Sequence, residues 1–300
     1  MTIHGMTVPT PELGWCTAPV EHYRIWDMGV TWRHVNIAPN VYDWTRLDYV
    51  VNGLIAQGAT NLTYVLGATP LWWAKDPYLP NYAPWLGQGS NSQPIDNTHW
   101  QAFCIQVAAR YLGRIGSYQI WNEPQLKDFW GYDDWTALAE MTRIANNAIH
   151  GVNASIKTIS GPVLPRLSSG GMIRGGKYLS ALKAKSWPFD IHSAHIYPEI
   201  GYTPGRWREY AESWQEKLTS LSAPSKPKWV TETNYNLQGG PLSDIAIADY
   251  MNRTDDICKD EGIFKCYWYC WNHSDPNLLG IPFTPTSQGT TTLTELIEAA

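Results

Sequence analysis

Three hundred residues with a net charge of −5 and only 16% charged side chains provide no clustered positive charge for a nucleic-acid partner. No run of about 18 apolar residues occurs, which argues against a membrane span, and the length suits one α/β barrel, typically about 250 residues, with modest insertions. Seventeen Trp and seventeen Tyr stand against five Phe; their flat apolar faces and hydrogen-bonding edges suit sugars, although a Trp-rich core would raise the same count.

In chain order, short β-rich runs alternate with longer helical stretches. A strand is expected at Leu13–Cys16, a helix at Val20–Met28, a strand at Thr31–Ile37 and a helix at Arg46–Gln57. Strands at Asn61–Gly67, Ser117–Trp121, Thr158–Gly161, Asp190–His195, Lys228–Glu232 and Phe264–Trp271 follow. Between and after them come helices at Thr98–Leu112, Asp134–His150, Gly175–Lys185, Trp207–Ser220, Ser243–Asp260 and Leu293–Ala299. Eight strand–helix repeats without a break in composition predict parallel βαβ units closed into a single (β/α)₈ TIM barrel spanning residues 1–300. Asp96 or Asn97 and Ser243 are placed to cap helix starts, and Gly58, Gly113, Gly151 and Gly262 to end helices.

Two segments exceed ordinary loop length. Lys75 to Asn97 carries Tyr78, Tyr82 and Trp85 and leaves the third strand at the face where barrel enzymes keep their sites, so it is expected to form an ordered cleft wall. Ala194 to Arg206 leaves the sixth strand with two prolines and two glycines.

Two carboxylates stand out. Glu123 ends the fourth expected strand in Gln119-Ile120-Trp121-Asn122-Glu123-Pro124, and Glu232 ends the seventh in Trp229-Val230-Thr231-Glu232-Thr233. Strands four and seven lie across the barrel mouth from each other. Strand alternation would put Gln119, Trp121 and Glu123 on one face, Lys228, Val230 and Glu232 on another, and Tyr267, Tyr269 and Trp271 on a third. Two facing carboxyls suit glycoside hydrolysis, in which one protonates the leaving oxygen and the other acts from the opposite side of the ring.

The Asn-Glu pair after strand four and the Glu after strand seven resemble clan A of the glycoside hydrolases, the 4/7 barrels. Thr69-Pro70-Leu71-Trp72 is similar to a turn of family 39, and Tyr42-Asp43-Trp44 with Leu47-Asp48 resembles a run in families 39 and 5. The strand-three His of family 5 is absent, replaced by Gly67-Ala68-Thr69, so the resemblance is nearest to family 39, with family 5 second. It implies a retaining glycosidase with Glu123 as acid/base and Glu232 as nucleophile. It further implies Asn122 on the sugar 2-hydroxyl, Arg33 as the strand-two Arg steadying the nucleophile, and Tyr197 of His195-Ile196-Tyr197 bonded to the nucleophile. Trp271 would be a sugar platform, Trp72 would line the cleft, and no cofactor is required. Each has a bland counterpart: Trp271 and Trp72 as core caps, Arg33 in a structural ion pair, His195 as a core histidine.

Three patterns carry no chemistry. His192 and His195, three apart in a strand, point to opposite faces and do not chelate. Gly171 to Lys177 lacks the Ser/Thr of a phosphate loop. Asp255, Asp256, Asp275 and Asn277 lack calcium-loop spacing. Cys16, Cys104, Cys258, Cys266 and Cys270 are odd in number and scattered, as free buried thiols would be. Met1 to Pro11 shows no basic stretch before an apolar one, so no secretory leader is expected, and the sequons at Asn61, Asn153, Asn252 and Asn272 are then coincidental. The expected partner is an oligo- or polysaccharide. A transglycosylase would use the same residues, and a silent carbohydrate-binding barrel would keep the aromatic rim alone.

Overall fold

The computed structural model describes residues 1–81, 83, 85–166, 171–198, 204–235, 242–272 and 280–299. Eight parallel strands form one sheet: β1 (Ile3–Thr7), β2 (His22–Ile25), β3 (Asn61–Leu66), β4 (Ser117–Ile120), β5 (Lys157–Ile159), β6 (His192–Ile196), β7 (Lys228–Thr233) and β8 (Ile263–Tyr269). Each pairs with its sequence neighbour and β1 with β8. Bridges Ile159–Ile191 and Val163–Ala194, with bonds such as His195 N–H to Val163 O at 2.9 Å, carry β5 onto β6 and close the cylinder. The fold is a (β/α)₈ barrel.

Around it lie a single turn α1 (Trp32–Val35) and helices α2 (Thr45–Ala56), α3 (Asn97–Arg110), α4 (Trp135–Val152), α5 (Gly171–Ala184), α6 (Pro204–Ser220), α7 (Asp244–Asp260) and α8 (Gln288–Glu298). Asp96 caps α3 by accepting from Thr98 N–H, and Ser243 caps α7 by accepting from Ala246 N–H. Gly58, Gly113 and Gly262 follow their helices at positive φ; Gly151 instead stays inside the last turn of α4. No helix among the described residues is long and apolar enough to cross a membrane. All five cysteines are free and buried.

The last six strands coincide with the sequence expectation; the first two do not. β1 lies at Ile3–Thr7, ahead of Leu13–Cys16, and the stretch expected as helix Val20–Met28 contains β2. Thr31–Ile37 is not a strand: it holds α1 and the start of a small hairpin, Asn36–Ala38 with Val41–Tyr42. No α-helix separates β1 from β2, only a 3₁₀ turn at Pro11–Leu13. β1 escaped notice because His4 and Gly5 interrupt its apolar character. Gly5 has a packing reason: a Cβ there would sit 2.5 Å from the Tyr267 ring.

The barrel interior is layered. At its lower end Ile159, Ile191, Trp229 and Tyr267 pack together, with the Tyr267 hydroxyl 2.9 Å from Thr63 Oγ1. Above them polar side chains fill the cylinder, and these lead into the mouth.

Candidate active site

Arg24, from the middle of β2, is fully buried and holds three strands together. Its Nε donates to Gln119 Oε1 of β4 at 2.8 Å, Nη2 to Asn122 Oδ1 at 2.8 Å, and Nη1 to Glu232 Oε1. Gln119 Nε2 then donates to Thr231 Oγ1 of β7 at 3.1 Å. A guanidinium suits this place, since it keeps its charge when desolvated and offers donors in a fixed plane.

Backbone irregularities aim the two glutamates. Along β7, Trp229 and Thr231 face the interior while Val230 joins the outer core. Pairing with β6 then steps from Ala194–Val230 to His195–Glu232, so Thr231 is a bulge residue that leaves Glu232 facing inward as well. Simple alternation, which would have grouped Glu232 with Val230, is therefore not what presents it. In β4 Gln119 points in, but Trp121, at φ 75°, turns outward onto Trp100 and Trp130. Glu123, at φ 32°, comes back to the mouth. Two non-glycine residues in the left-handed region within three positions mark a strand end shaped for its side chains.

Glu232 is nearly buried, with Arg24 on one oxygen and the Tyr197 hydroxyl on the other at 2.9 Å. Glu123, its side chain 14% exposed, lies 2.8 Å from His195 Nδ1, which is also 3.4 Å from Glu232 Oε2. One oxygen of each glutamate and a ring nitrogen of His195 all lie within 4.8 Å of one another. Burial pushes the Glu123 carboxyl up to about 7, against the opposing pull of Arg166 and Arg24. Burial drives the His195 imidazole down to about 3 despite the charge of Glu232, so the ring is neutral. The same three groups form a donor set of the kind that holds a metal, but Arg24 and Tyr197 already donate to both Glu232 oxygens, and a cation there would compete with a fixed guanidinium. His192 faces elsewhere, toward Pro224 O.

The structure brings Glu123, Glu232, Asn122, His195 and Tyr197 together. Arg33 is not among them: it lies in α1 and donates to Gln88 O at 2.9 Å and Thr69 O at 3.4 Å. Its place on Glu232 is taken by Arg24, nine residues earlier, because β2 runs through His22–Ile25. Trp271 is 0% exposed and its backbone N–H donates to Thr7 O, so its ring offers no face to a sugar; Tyr269, two residues earlier, reaches the mouth instead. Trp72 is half-buried beside Trp73, both indoles donating to Asn36 Oδ1 at 3.1 and 2.9 Å, with no contact to the glutamates.

Two further residues belong to this region. Asp27, at φ 59° just past β2, accepts the Tyr269 hydroxyl at 2.8 Å. Burial, then the charge of Glu232, pushes its carboxyl up to about 7. The segment from 75 to 97 is pinned by buried polar side chains: Asn91 Nδ2 donates to Pro80 O and Lys127 O, and Thr69 Oγ1 to Ser92 O. Tyr78 projects from it and Trp85 stands at the rim; Tyr82 lies outside the described residues, as do positions 199–203 of the segment after β6.

No family model matches the sequence. The fold is similar to that of a glucosidase from Croceicoccus marinus at 14% identity and a TM-score of 0.71, covering 98% of this chain and 67% of that one. It is likewise similar to the GH39 enzyme from Xanthomonas axonopodis pv. citri at 15% identity and 0.70, covering 98% and 65%. An intracellular xylanase from Thermoanaerobacterium saccharolyticum, at 16% identity and 0.62, matches over 97% of this chain and 95% of its own. The chain thus spans about two thirds of the first two and nearly all of the third, and at these identities what is shared is the barrel fold.

Proposed function

We propose that this chain hydrolyses a glycosidic bond in an oligo- or polysaccharide by double displacement, with Glu123 as acid/base and Glu232 as nucleophile. The approach of the two carboxylates, with an oxygen of each within 4.8 Å, is the main support. Carboxyl groups about 5 to 5.5 Å apart put the second in reach of the anomeric carbon, whereas a wider gap leaves room for water. The two also differ in environment as acid and nucleophile must. Glu123 holds its proton near neutral pH because it is desolvated, while both oxygens of Glu232 are held by donors, the Arg24 guanidinium and the Tyr197 hydroxyl.

The steps follow from these positions. Glu232 attacks the anomeric carbon as the glycosidic bond breaks, and Glu123 passes its proton to the departing oxygen. His195 Nδ1 lies against Glu123 Oε1 at 2.8 Å, which leaves Oε2 as the oxygen that faces the departing group. Ionised Glu123 then takes a proton from a water that attacks the same carbon, the ester breaks, and the configuration is retained. Asn122, oriented by Arg24 through Oδ1, keeps its Nδ2 for the sugar 2-hydroxyl, a contact that strengthens in the transition state. A sugar hydroxyl replacing the water would give transglycosylation by the same residues. We place the chain in clan A, nearest family 39, on Asn122-Glu123 and Glu232 at the ends of β4 and β7. Neutral gluco- and xylo-configured glycans are the substrates to try first, after the glucosidase and xylanase of like fold.

An activated 2-fluoro glycoside should add its mass to the peptide bearing Glu232. Glu123→Gln and Glu232→Gln should each lower release of reducing ends by about 100- to 10,000-fold. Labelling at another residue, or turnover that survives both substitutions, overturns the proposal; sugar binding with no release of reducing ends would mark a silent carbohydrate-binding barrel.

A further inference from the structure

The chain leaving β5 is fastened on both sides to the segments that carry the site. Gly161 fits under the end of β4, where a Cβ would sit 3.0 Å from Ile120 O and 3.5 Å from Pro124 Cγ. Val163 N–H donates to Ser193 O at 3.1 Å, and Val163 O accepts from His195 N–H at 2.9 Å. Gln125, two residues past Glu123, then closes on the Leu164 backbone. Its Oε1 accepts from Leu164 N–H at 2.7 Å and its Nε2 donates to Leu164 O at 3.2 Å. Both residues are buried, and opening such a clamp would strand backbone polar groups away from water. Pro165 follows, so Arg166 comes two residues after a point tied to the segment of Glu123 and three after one tied to His195.

Arg166 is partly buried and makes no hydrogen bond or ion pair with the described residues. The other charged and titratable groups described around Glu123 are committed. Arg24 is bonded to Glu232, Tyr197 donates to Glu232, and Arg174 of α5 pairs with Asp133 at 3.1 Å. Asp27 accepts from Tyr269 and shares a cavity of about 300 Å³ with Trp85. His195, 2.8 Å from Glu123, is neutral. Partial exposure lets Arg166 stay unpaired, because water still hydrates a guanidinium that full burial would force into an ion pair. The Glu123 carboxyl, which burial raises, is drawn down by the charges of Arg166 and Arg24.

We infer that Arg166 is a positioning residue for the proposed acid/base: carried beside Glu123 by the Gln125–Leu164 clamp, its unshared charge stabilises the carboxylate that Glu123 becomes once its proton has left. A desolvated carboxyl with no free cation nearby would hold its proton too firmly to release it and then serve as a base. The proton passes from Glu123 to the departing oxygen and is regained from the attacking water, while Arg166 keeps its own throughout. This rests on the catalytic proposal above for the role of Glu123, and on the clamp for the place of Arg166.

The test is an NMR titration of Glu123 in protein with isotopically labelled glutamate carboxyls, its signal identified by its loss in Glu123→Gln. In Arg166→Met the midpoint should rise by at least about half a unit above that of the native protein. Arg166→Lys, which restores a charge, should reverse most of that rise. The alkaline limb of kcat/KM on xylo- or cello-oligosaccharides should move in step. Both variants should keep the native urea midpoint, since Arg166 makes no bond with the described residues. An unmoved Glu123 midpoint in Arg166→Met, or an equal rise in Arg166→Lys, overturns the inference. A loss carried by KM alone with the limb unmoved would put Arg166 on the substrate and overturns it as well. Turnover that survives Glu123→Gln would instead overturn the catalytic proposal, with the titration still deciding whether Arg166 governs that carboxyl.

Discussion

The barrel buries a cation at each end, and the two are treated in opposite ways. At the mouth, Arg24 pairs with Glu232 and two amide oxygens. Near the floor, Lys265 of β8 has no carboxylate partner among the described residues. Its Nζ donates to His22 Nδ1 at 2.9 Å and Asn61 Oδ1 at 3.3 Å, and sits 4.1 Å from the Trp229 ring centre. Burial brings the Lys265 ammonium down to about 7, and burial with Lys265 nearby brings His22 down to about 4. A guanidinium cannot give up its proton, so the mouth keeps a permanent charge and must pair it. An ammonium can, and the floor relaxes by losing charge. What the mouth retains is a charge; what the floor retains is a filled volume.

Removing the mouth cation should have the largest effect. Arg24→Met leaves Glu232 buried without its counter-ion, and a broken buried pair costs about 3–5 kcal/mol, read as a lowered urea midpoint. In the protein that still folds, kcat/KM should fall about 100-fold or more as the proposed nucleophile loses its orientation. Adding Glu232→Gln should restore much of the stability; no recovery would mean that Arg24 acts through packing.

The proposed acid at the mouth gives the next test. With Glu123 near 7, kcat should fall as pH rises through that value, about tenfold per unit once the proton is lost. An alkaline limb near 4.5 would contradict the desolvated environment of Glu123.

At the floor the sign reverses to one of stability. Lys265 has a folded value of about 7, below its unfolded value near 10.4. The unfolded chain therefore holds more protons between those limits, and stability gains as pH rises through the window. Relative to Lys265→Met, the native protein should gain up to about 1.4 kcal/mol per pH unit there, measured by denaturant unfolding at pH 7 and 9. A flat difference would mean a charged Lys265.

The smallest effect is expected at Arg33→Ala. Its bonds to Gln88 O and Thr69 O fasten the segment after β3 rather than the glutamate pair, so the loss should be about 1 kcal/mol and a few-fold in kcat/KM. A loss matching that of Arg24→Met would return Arg33 to the position that the sequence suggested for it.

That last pair shows where the sequence was readable. Glu123, Glu232, Asn122, His195 and Tyr197 sit at the ends of runs apolar enough to be recognised as strands, so their place at the mouth could be anticipated. Arg24 could not: β2 is four residues long, and the apolar Val20, Trp26 and Met28 around it gave the segment a helical rhythm. Once Thr31–Ile37 took the second strand's place, Arg33 was given the contact with Glu232 that Arg24 makes. The one available signal was the Tyr23-Arg24-Ile25 alternation. Trp271 failed for a related reason: alternation reached one step beyond β8, and the chain there turns into the core against Thr7.

The sequence alone determined the barrel, six of its strands and the two carboxylates, because hydrophobic period and helix ends are local properties of the chain. The tertiary structure decided which arginine meets Glu232, that a bulge at Thr231 rather than plain alternation presents that glutamate, and that Asp27 shares a cavity with Trp85. These depend on where strands far apart in sequence come into register, and a shift of one residue there reverses which face a side chain takes.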